Sequence, residues 1–318
     1  MNRNNAFIKW TDYYSTKPVS MMRNWVGAVA ALLVGLMLAR SFFDDSQLET
    51  LKGKRVLVTG ASTGIGEQLA YQYARLGAKV AVTARRKDVL LKVTERCKQL
   101  SPNNLTHHAI PADMGQLNST AAVIQEAIAS LGGLDILVLN HITSQPIVQF
   151  LGTNENISSF DKTIDINFRS YVHLTSHALP QLIANKGSLV VVNSMLGKVP
   201  HPYLASYSAS KHALHGFFES LRSQFIFLEQ DVSVTLCTLG LIGTENALNQ
   251  LQNNKQDKTL QAVSAASPQD TALAIVEAGA RRQKNVFYPF WTTWTFSFMR
   301  SLFPETMDYI FIKMVMDR

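Results

Sequence analysis

RVLVTGASTGIG, residues 55–66, decides the fold. Its opening residues are aliphatic or β-branched behind a single charge and run directly into glycines, the pattern of a buried strand that ends in a tight turn. Beyond Gly66, Leu69, Tyr73 and Leu76 recur at helical spacing, Gly77 stops the helix, and KVAVT at 79–83 begins a second strand. That is a βαβ unit. The alternation continues with a helix about 89–100, a strand near 107–111, a helix over 121–131 and a strand at 134–139. A helix about 160–184, the strand SLVVV at 188–192, a long helix from about Tyr207 and a strand at 232–238 follow. Near-continuous apolar strands separated by helices predict a parallel sheet covered on both faces, hence a single doubly wound α/β domain of the Rossmann type.

One such domain with terminal additions accounts for 318 residues. The expected division is a tail at 1–24, an anchor at 25–43, a linker at 44–52, the α/β domain at 53–290 and an aromatic-rich helical segment at 291–318. Hydrophobic residues make up 47% and charged residues 17%, enough for a packed core with apolar surface left for lipid. The net charge of +7 comes from scattered basic residues without a Lys/Arg block, which argues against a nucleic-acid partner. Cys97 and Cys237 fall in a helix-like and a strand-like stretch, so no disulfide framework is expected, and no metal site. The polar run 249–258 reads as a mobile loop.

WVGAVAALLVGLMLA at 25–39 is apolar and uncharged, and Phe42 and Phe43 extend it past Arg40. A transmembrane anchor, a cleaved signal segment and a buried helix compete for it; the anchor is favoured, because Arg40 can snorkel and no small-residue cleavage pattern follows. Arg3, Lys9, Lys17 and Arg23 precede the segment against Asp12 alone, whereas Asp44, Asp45 and Glu49 follow it. The positive-inside rule then leaves the N-terminus cytosolic and translocates the main body. Sequons at Asn104, Asn118 and Asn156 agree with a luminal domain.

The turn from Thr59 to Gly66 joins a strand to a helix, where glycines permit close approach of a pyrophosphate and the helix N-terminus adds partial positive charge. At the end of the second strand, where an acid would bind the ribose hydroxyl of NAD, Thr83-Ala84-Arg85-Arg86 stands instead. Arginine suits a 2′-phosphate, so NADP(H) is the expected cofactor, although a solvated arginine pair would read the same. Tyr207 and Lys211 are four residues apart and share a helical face, so an ammonium can stabilise a phenolate. Ser194 ends the strand SLVVVN at the carboxyl edge, where open α/β sheets bind ligands, and its hydroxyl can hold a reacting oxygen. Asn140 ends the fourth strand, and Asn167 offers an amide to order water beside Lys211; either is equally readable as a capping residue.

TGASTGIG (59–66), LNH (139–141), the Asn of DINF, the strand-end Ser194 and YSASK (207–211) together resemble the short-chain dehydrogenase/reductase family over roughly residues 51–290. LNHIT (139–143), SYVHLT (170–175), SYSASKHAL (206–214) and TLCTLGLIGTE (235–245) are similar to its 11β-hydroxysteroid dehydrogenase-like subgroup. The resemblance implies that Tyr207 protonates a carbonyl oxygen, Lys211 lowers the tyrosine pKa and binds the nicotinamide ribose, Ser194 steadies the substrate and Asn167 supports a proton relay. It places the nucleotide on Gly60, Ser62, Thr63, Gly64, Ile65 and Gly66, on Arg85 and Arg86, on Asp113 and Met114 at the adenine, on Asn140, Tyr207 and Lys211, and on Gly240, Ile242 and Thr244. It further implies a steroid-like lipophile as substrate, a homodimer, and an endoplasmic reticulum membrane location. Retinoids, quinones or xenobiotic carbonyls are alternative substrates, and a catalytically silent nucleotide-binding protein is the alternative class. Leu239-Gly240 replaces the family's Pro-Gly, Asn140-His141-Ile142 replaces its Asn-Asn-Ala-Gly turn, and Thr63 stands where the steroid enzymes carry a lysine.

Phe287, Tyr288, Phe290, Trp291, Trp294, Phe296, Phe298 and Phe303 crowd the C-terminal region. Phe287, Trp291, Trp294 and Phe298 are spaced as one helical stripe, which predicts either a core or dimer-facing helix or shallow insertion at a membrane interface.

Overall fold

The computed structural model describes residues 45–143, 148–253 and 265–316. The expected tail and anchor lie outside them, and among the described residues no helix is long and apolar enough to cross a membrane. The chain divides into two units, Met1–Leu48 and Glu49–Arg318. Part of the segment read as a linker is a short helix, Asp45–Glu49.

In the larger unit, strand β1 (Arg55–Thr59) leads to helix α1 (Gly64–Arg75) and strand β2 (Lys79–Ala84), as the opening motif predicts. Helix α2 (Lys87–Leu100), strand β3 (His108–Pro111), helix α3 (Ser119–Leu131) and strand β4 (Ile136–Leu139) follow. Helix α4 (Asn154–Ile164) passes through a π-helical turn, Asp165–Arg169, into helix α5 (Ser170–Ala184). It starts six residues before the position read from sequence, because Thr153 caps it by accepting a bond from the Asn156 N–H. Strand β5 (Ser188–Ser194), helix α6 (Ala205–Phe227), strand β6 (Ser233–Leu239) and helix α7 (Glu245–Asn253) come next. Helix α7 occupies the first residues of the run read as a loop; 254–264 lie outside the description. Helix α8 (Pro268–Ala280), strand β7 (Asn285–Tyr288), helix α9 (Phe290–Leu302) and helix α10 (Pro304–Met316) complete the chain.

The seven strands form one parallel sheet in the order β3-β2-β1-β4-β5-β6-β7. The order reverses between β1 and β4, and such a switch point opens a crevice at the carboxyl ends of the strands. Register aligns those ends: Thr59 pairs with Thr83, Ser194 with Leu239, and Leu239 with Tyr288. Every residue on which the resemblance bears at a strand end is therefore brought to one edge. The opposite edge is tied by Arg55, whose Nε donates to Asp135 Oδ2 at 2.8 Å and whose second nitrogen reaches Oδ1 at 2.6 Å. This bidentate fork holds the starts of β1 and β4 together.

Strand β7 was not apparent from sequence, and Phe287 lies on it rather than on a helix with the tryptophans. Trp291, Trp294 and Phe298 do share α9, with Trp294 stacked on Phe298 at 5.0 Å and on Phe290 at 5.8 Å. They are not core residues: Trp291 is 72% exposed.

Behind the β2 edge, buried His107 accepts a hydrogen bond from the Val80 N–H through Nδ1 at 3.1 Å. Burial, with His108 adding a smaller effect, holds its pKa down at about 4. Because the folded pKa lies below the unfolded value, the unfolded chain takes up more protons; stability is present above pH 6.5 and falls as pH drops towards 4. His107 should contribute a loss of about 1–2 kcal/mol between pH 7 and 5. His107→Asn, which keeps an acceptor but cannot titrate, should flatten the pH dependence of chemical unfolding in that window by this amount.

Candidate active site

The turn from Gly60 to Gly66 is closed more tightly than any side chain would allow. A Cβ on Gly60 would lie 2.6 Å from the His141 Cα, and one on Gly66 would lie 2.5 Å from Asn140 Nδ2 and closer still to the Gly60 carbonyl oxygen. Asn140 locks the closure by donating from Nδ2 to the carbonyls of Thr59 and Gly60, each at 3.2 Å. Gly64 has φ +66°, and a Cβ there would meet the Thr244 methyl at 3.0 Å. Thr244 thus borders the turn although it is remote in sequence.

This arrangement fits the pyrophosphate of a dinucleotide. Helix α1 starts at the turn, and its N-cap Thr63 makes no side-chain cap hydrogen bond, so the positive helix end is presented without a side chain across it. Beside the turn Arg86 donates to Ser62 Oγ at 3.2 Å. A cavity of about 370 Å³ lies next along the edge, lined by Arg85, Asp113, Gly115, Gln116, Lys162, Asp165 and Ile166. It holds both signs of charge and enough room for a base and its ribose. Asp113 Oδ1 accepts the Gly115 N–H at 3.0 Å, which shapes the cavity's lip. Met114 points elsewhere: its side chain is buried in the main core. Ile242 is likewise buried, bridging Ala266. Gly240 donates its N–H to Tyr288 O at 2.8 Å and fits beside the Thr293 methyl.

At the centre of the edge, Ser194 ends β5 and Tyr207 and Lys211 lie on the first turns of α6. Burial raises the Tyr207 pKa, against a side-chain hydrogen bond with Ser194 that lowers it. Lys211 is only 2% exposed. Its Nζ donates to Val192 O at 3.3 Å and stands 5.7 Å from the centre of the Tyr207 ring. Desolvation pushes this lysine down to about 7. Burial therefore favours the uncharged form of both groups, and it outweighs the phenolate stabilisation that their spacing alone suggests.

Asn167 sits in the π-helical turn, fully buried. Its amide is committed: Oδ1 accepts the Thr143 N–H at 2.8 Å, and Nδ2 faces Ser210 Oγ at 3.4 Å. The Thr143 N–H takes one of the two acceptor sites of the amide oxygen, which ties Asn167 to the backbone after β4. Ser210 in turn donates to Tyr207 O at 2.7 Å, so Asn167 braces the turn of α6 that carries Tyr207 and Lys211.

Sequence reasoning missed Lys162 and Asp165 on the cavity wall. They precede Asn167 by less than two turns, but nothing in their spacing ties them to Arg85 or Asp113.

A profile of the family described as short chain dehydrogenase matches residues 54–255. The chain belongs to that family. It is accordingly an oxidoreductase of the short-chain type, and it resembles 11β-hydroxysteroid dehydrogenase-like members. A "Hydroxysteroid 11-beta-dehydrogenase 1-like protein" of Xenopus tropicalis is 45% identical over 271 residues, covering 85% of this chain and 91% of the relative. A protein of the same name from Gallus gallus is 45% identical over 262 residues, covering 82% and 88%. Among solved structures, a short chain dehydrogenase from Burkholderia cenocepacia in complex with NADP superposes with a TM-score of 0.65 at 26% identity, covering 74% of this chain and 96% of that one. L-Sorbose reductase from Gluconobacter frateurii, complexed with NADPH and L-sorbose, shares the fold with a TM-score of 0.67 at 23% identity, over 74% and 95% of the two chains.

Gly66→Ala tests the turn. The added methyl has to displace the Gly60 carbonyl and the Asn140 amide, so the variant should lose about 1–3 kcal/mol in denaturant unfolding, together with measurable nucleotide binding by fluorescence quenching.

Proposed function

We propose that this oxidoreductase uses NADP(H) to interconvert a ketone and a secondary alcohol on a lipophilic, steroid-like substrate. The observation that carries the reading is the Tyr207 phenol, set beside Ser194 and backed by a buried Lys211, at the same sheet edge as the glycine turn. The steroid class is supported by the names of the relatives at 45% identity. The phosphorylated cofactor is supported by Arg85 on the cavity wall, by the absence of an acid at the end of β2, and by the NADP of the Burkholderia relative.

Gly60, Ser62, Thr63, Gly64, Ile65 and Gly66 would hold the pyrophosphate, with Thr244 across the turn. Arg85 and Arg86 would take the 2′-phosphate and Asp113 the adenine side. Lys211 would hold the nicotinamide ribose. When bound, the nicotinamide supplies or accepts hydride. Ser194 steadies the substrate oxygen, and Tyr207 gives that oxygen its proton during reduction. Burial keeps the phenol protonated, which is the form that reduction consumes. Giving up that proton leaves a phenolate, whose charge a protonated Lys211 offsets; in oxidation the phenolate takes the proton back from the alcohol. Asn167 holds the frame in which these groups meet.

The same reading gives the protein a single-pass anchor at 25–43 in the endoplasmic reticulum membrane, with the catalytic domain luminal and paired as a homodimer. It is supported by the charge asymmetry around the segment and by the sequons, of which Asn104 and Asn118 are exposed and Asn156 is half-buried. The exposed aromatic face of α9 supports a second, shallow lipid contact. Met307 and Phe311 of α10 pack on Val199, just after Ser194, so that face is tied to the loop through which an apolar substrate would enter.

Tyr207→Phe should lower NADPH-dependent ketosteroid reduction by about 10²–10⁴-fold while leaving nucleotide affinity intact; unchanged turnover would remove Tyr207 from the chemistry. Arg85→Ala should cut the preference for NADPH over NADH by about 10- to 100-fold, read as the ratio of dissociation constants. With Trp10 and Trp25 replaced by Phe, brominated lipid in vesicles should quench the remaining tryptophan emission of the full chain; no quenching would exclude insertion of α9.

A further inference from the structure

His141 occupies the position where the family's Asn-Asn-Ala-Gly turn has its second asparagine, and its ring is buried between the end of β1 and the start of α5. Nδ1 lies 2.8 Å from Thr59 Oγ1, at the end of β1, and Nε2 lies 2.6 Å from Ser170 Oγ, at the start of α5. Each hydroxyl has a second acceptor for its single proton: Ile166 O at 2.7 Å from Ser170 Oγ and Val138 O at 3.1 Å from Thr59 Oγ1. The shorter bond holds its proton more firmly, so the Ser170 proton stays on Ile166 O, Nε2 donates to Ser170 Oγ, and the Thr59 proton is the one turned to the ring. Nδ1 then carries the lone pair and accepts from Thr59, whose oxygen in turn accepts the Asn140 N–H at 2.9 Å. The result is one directed chain: Asn140 N–H, Thr59 hydroxyl, His141 ring, Ser170 hydroxyl, Ile166 carbonyl.

We infer that His141 is a positioning residue of the reaction: as the Nε2–H tautomer, it sets the π-helical turn of Asn167 at a fixed distance from the strand end that carries the glycine turn. The chain ends on the carbonyl next to Asn167, and Asn167 braces Ser210 and through it Tyr207 O. The geometry of Tyr207 relative to the nucleotide turn thus depends on a ring that spans both gaps, which an asparagine, with its polar atoms at one end, does not do. The histidine backbone is held as well: its carbonyl accepts the Tyr171 hydroxyl at 2.7 Å, and the two rings lie 4.5 Å apart. Burial, with nearby Lys211, holds the imidazole down at about 3, so the ring stays neutral through the working range and the link is constitutive.

This inference rests on the reading of Tyr207 and Lys211 as the reacting site, and its tests separate the two. Full-length protein in detergent, labelled with ring-¹⁵N histidine and assigned with His141→Asn, should display the Nε2–H pattern for His141 at neutral pH. An Nδ1–H pattern overturns the assignment whatever the enzyme's activity. Ser170→Ala leaves the ring in place but breaks the chain; it should lower kcat about 10-fold with nucleotide affinity changed less than about 3-fold. His141→Asn should lower kcat to a similar degree, and the double variant should be no worse than the more damaged single, because both remove one link. Additive losses, or a Ser170→Ala enzyme with wild-type kcat, overturn the positioning role. Should His141→Asn fail to fold, the signals that differ between the wild-type and Ser170→Ala spectra supply the His141 assignment, and the Ser170→Ala kinetics still decide the positioning role. Loss of activity in Tyr207→Phe with no effect in Ser170→Ala would leave the proposed chemistry standing and the inference refuted.

Discussion

Gly60 and His141 stand so close that no side chain fits between them, and the rest of the site follows from that contact. It lies at the switch point of the sheet, where β1 and β4 run side by side but their continuations diverge. Because the first turn and the segment after β4 are packed backbone to backbone, Asn140 can reach the carbonyls of Thr59 and Gly60. The imidazole beside it can then bridge to α5. Any residue larger than glycine at the turn would force those two segments apart and move the helix N-terminus away from the edge where Ser194 and Tyr207 lie.

The second governing condition is the burial of Lys211. Lys211 is buried, with Nζ donating to the Val192 carbonyl, and Tyr207, half-buried, lies beside it. In such a place a charge on either group costs several kcal/mol unless the other compensates, which couples proton movement on the tyrosine to the state of the lysine. Helix α6 packs closely on the turn after Ser194, where a Cβ on Gly197 would lie 2.7 Å from Lys211 O. The C-terminal helices pack on Val199 beyond that turn and carry exposed aromatic side chains on their outer face.

Much of this was legible from residue order. The βαβ unit, the glycine turn, the arginine pair after β2, and the Ser194, Tyr207 and Lys211 set all announce themselves through local pattern, since strands, turns and helical faces are read over a few residues at a time. Strand β7 escaped because one exposed and three partly buried residues beside a run of aromatics carry no clear alternation. The π-helical turn escaped because an extra residue in a helix changes hydrogen bonding and leaves the side-chain pattern nearly intact. Lys162 and Asp165 escaped because a shared cavity wall leaves no mark on sequence spacing.

Order along the chain was sufficient for the parallel sheet, for the edge at which chemistry is concentrated, and for the residue types gathered there, because each of those depends on periodicity and on where strands stop. Folding in three dimensions was needed to decide which polar atoms remain free once neighbours are satisfied. It committed the Asn167 amide to Thr143, turned Met114 into the core, and gave His141 a partner on each side. Hydrogen bonds between elements separated by tens of residues are settled by packing, and packing is a property of the assembled sheet and helices rather than of any one stretch.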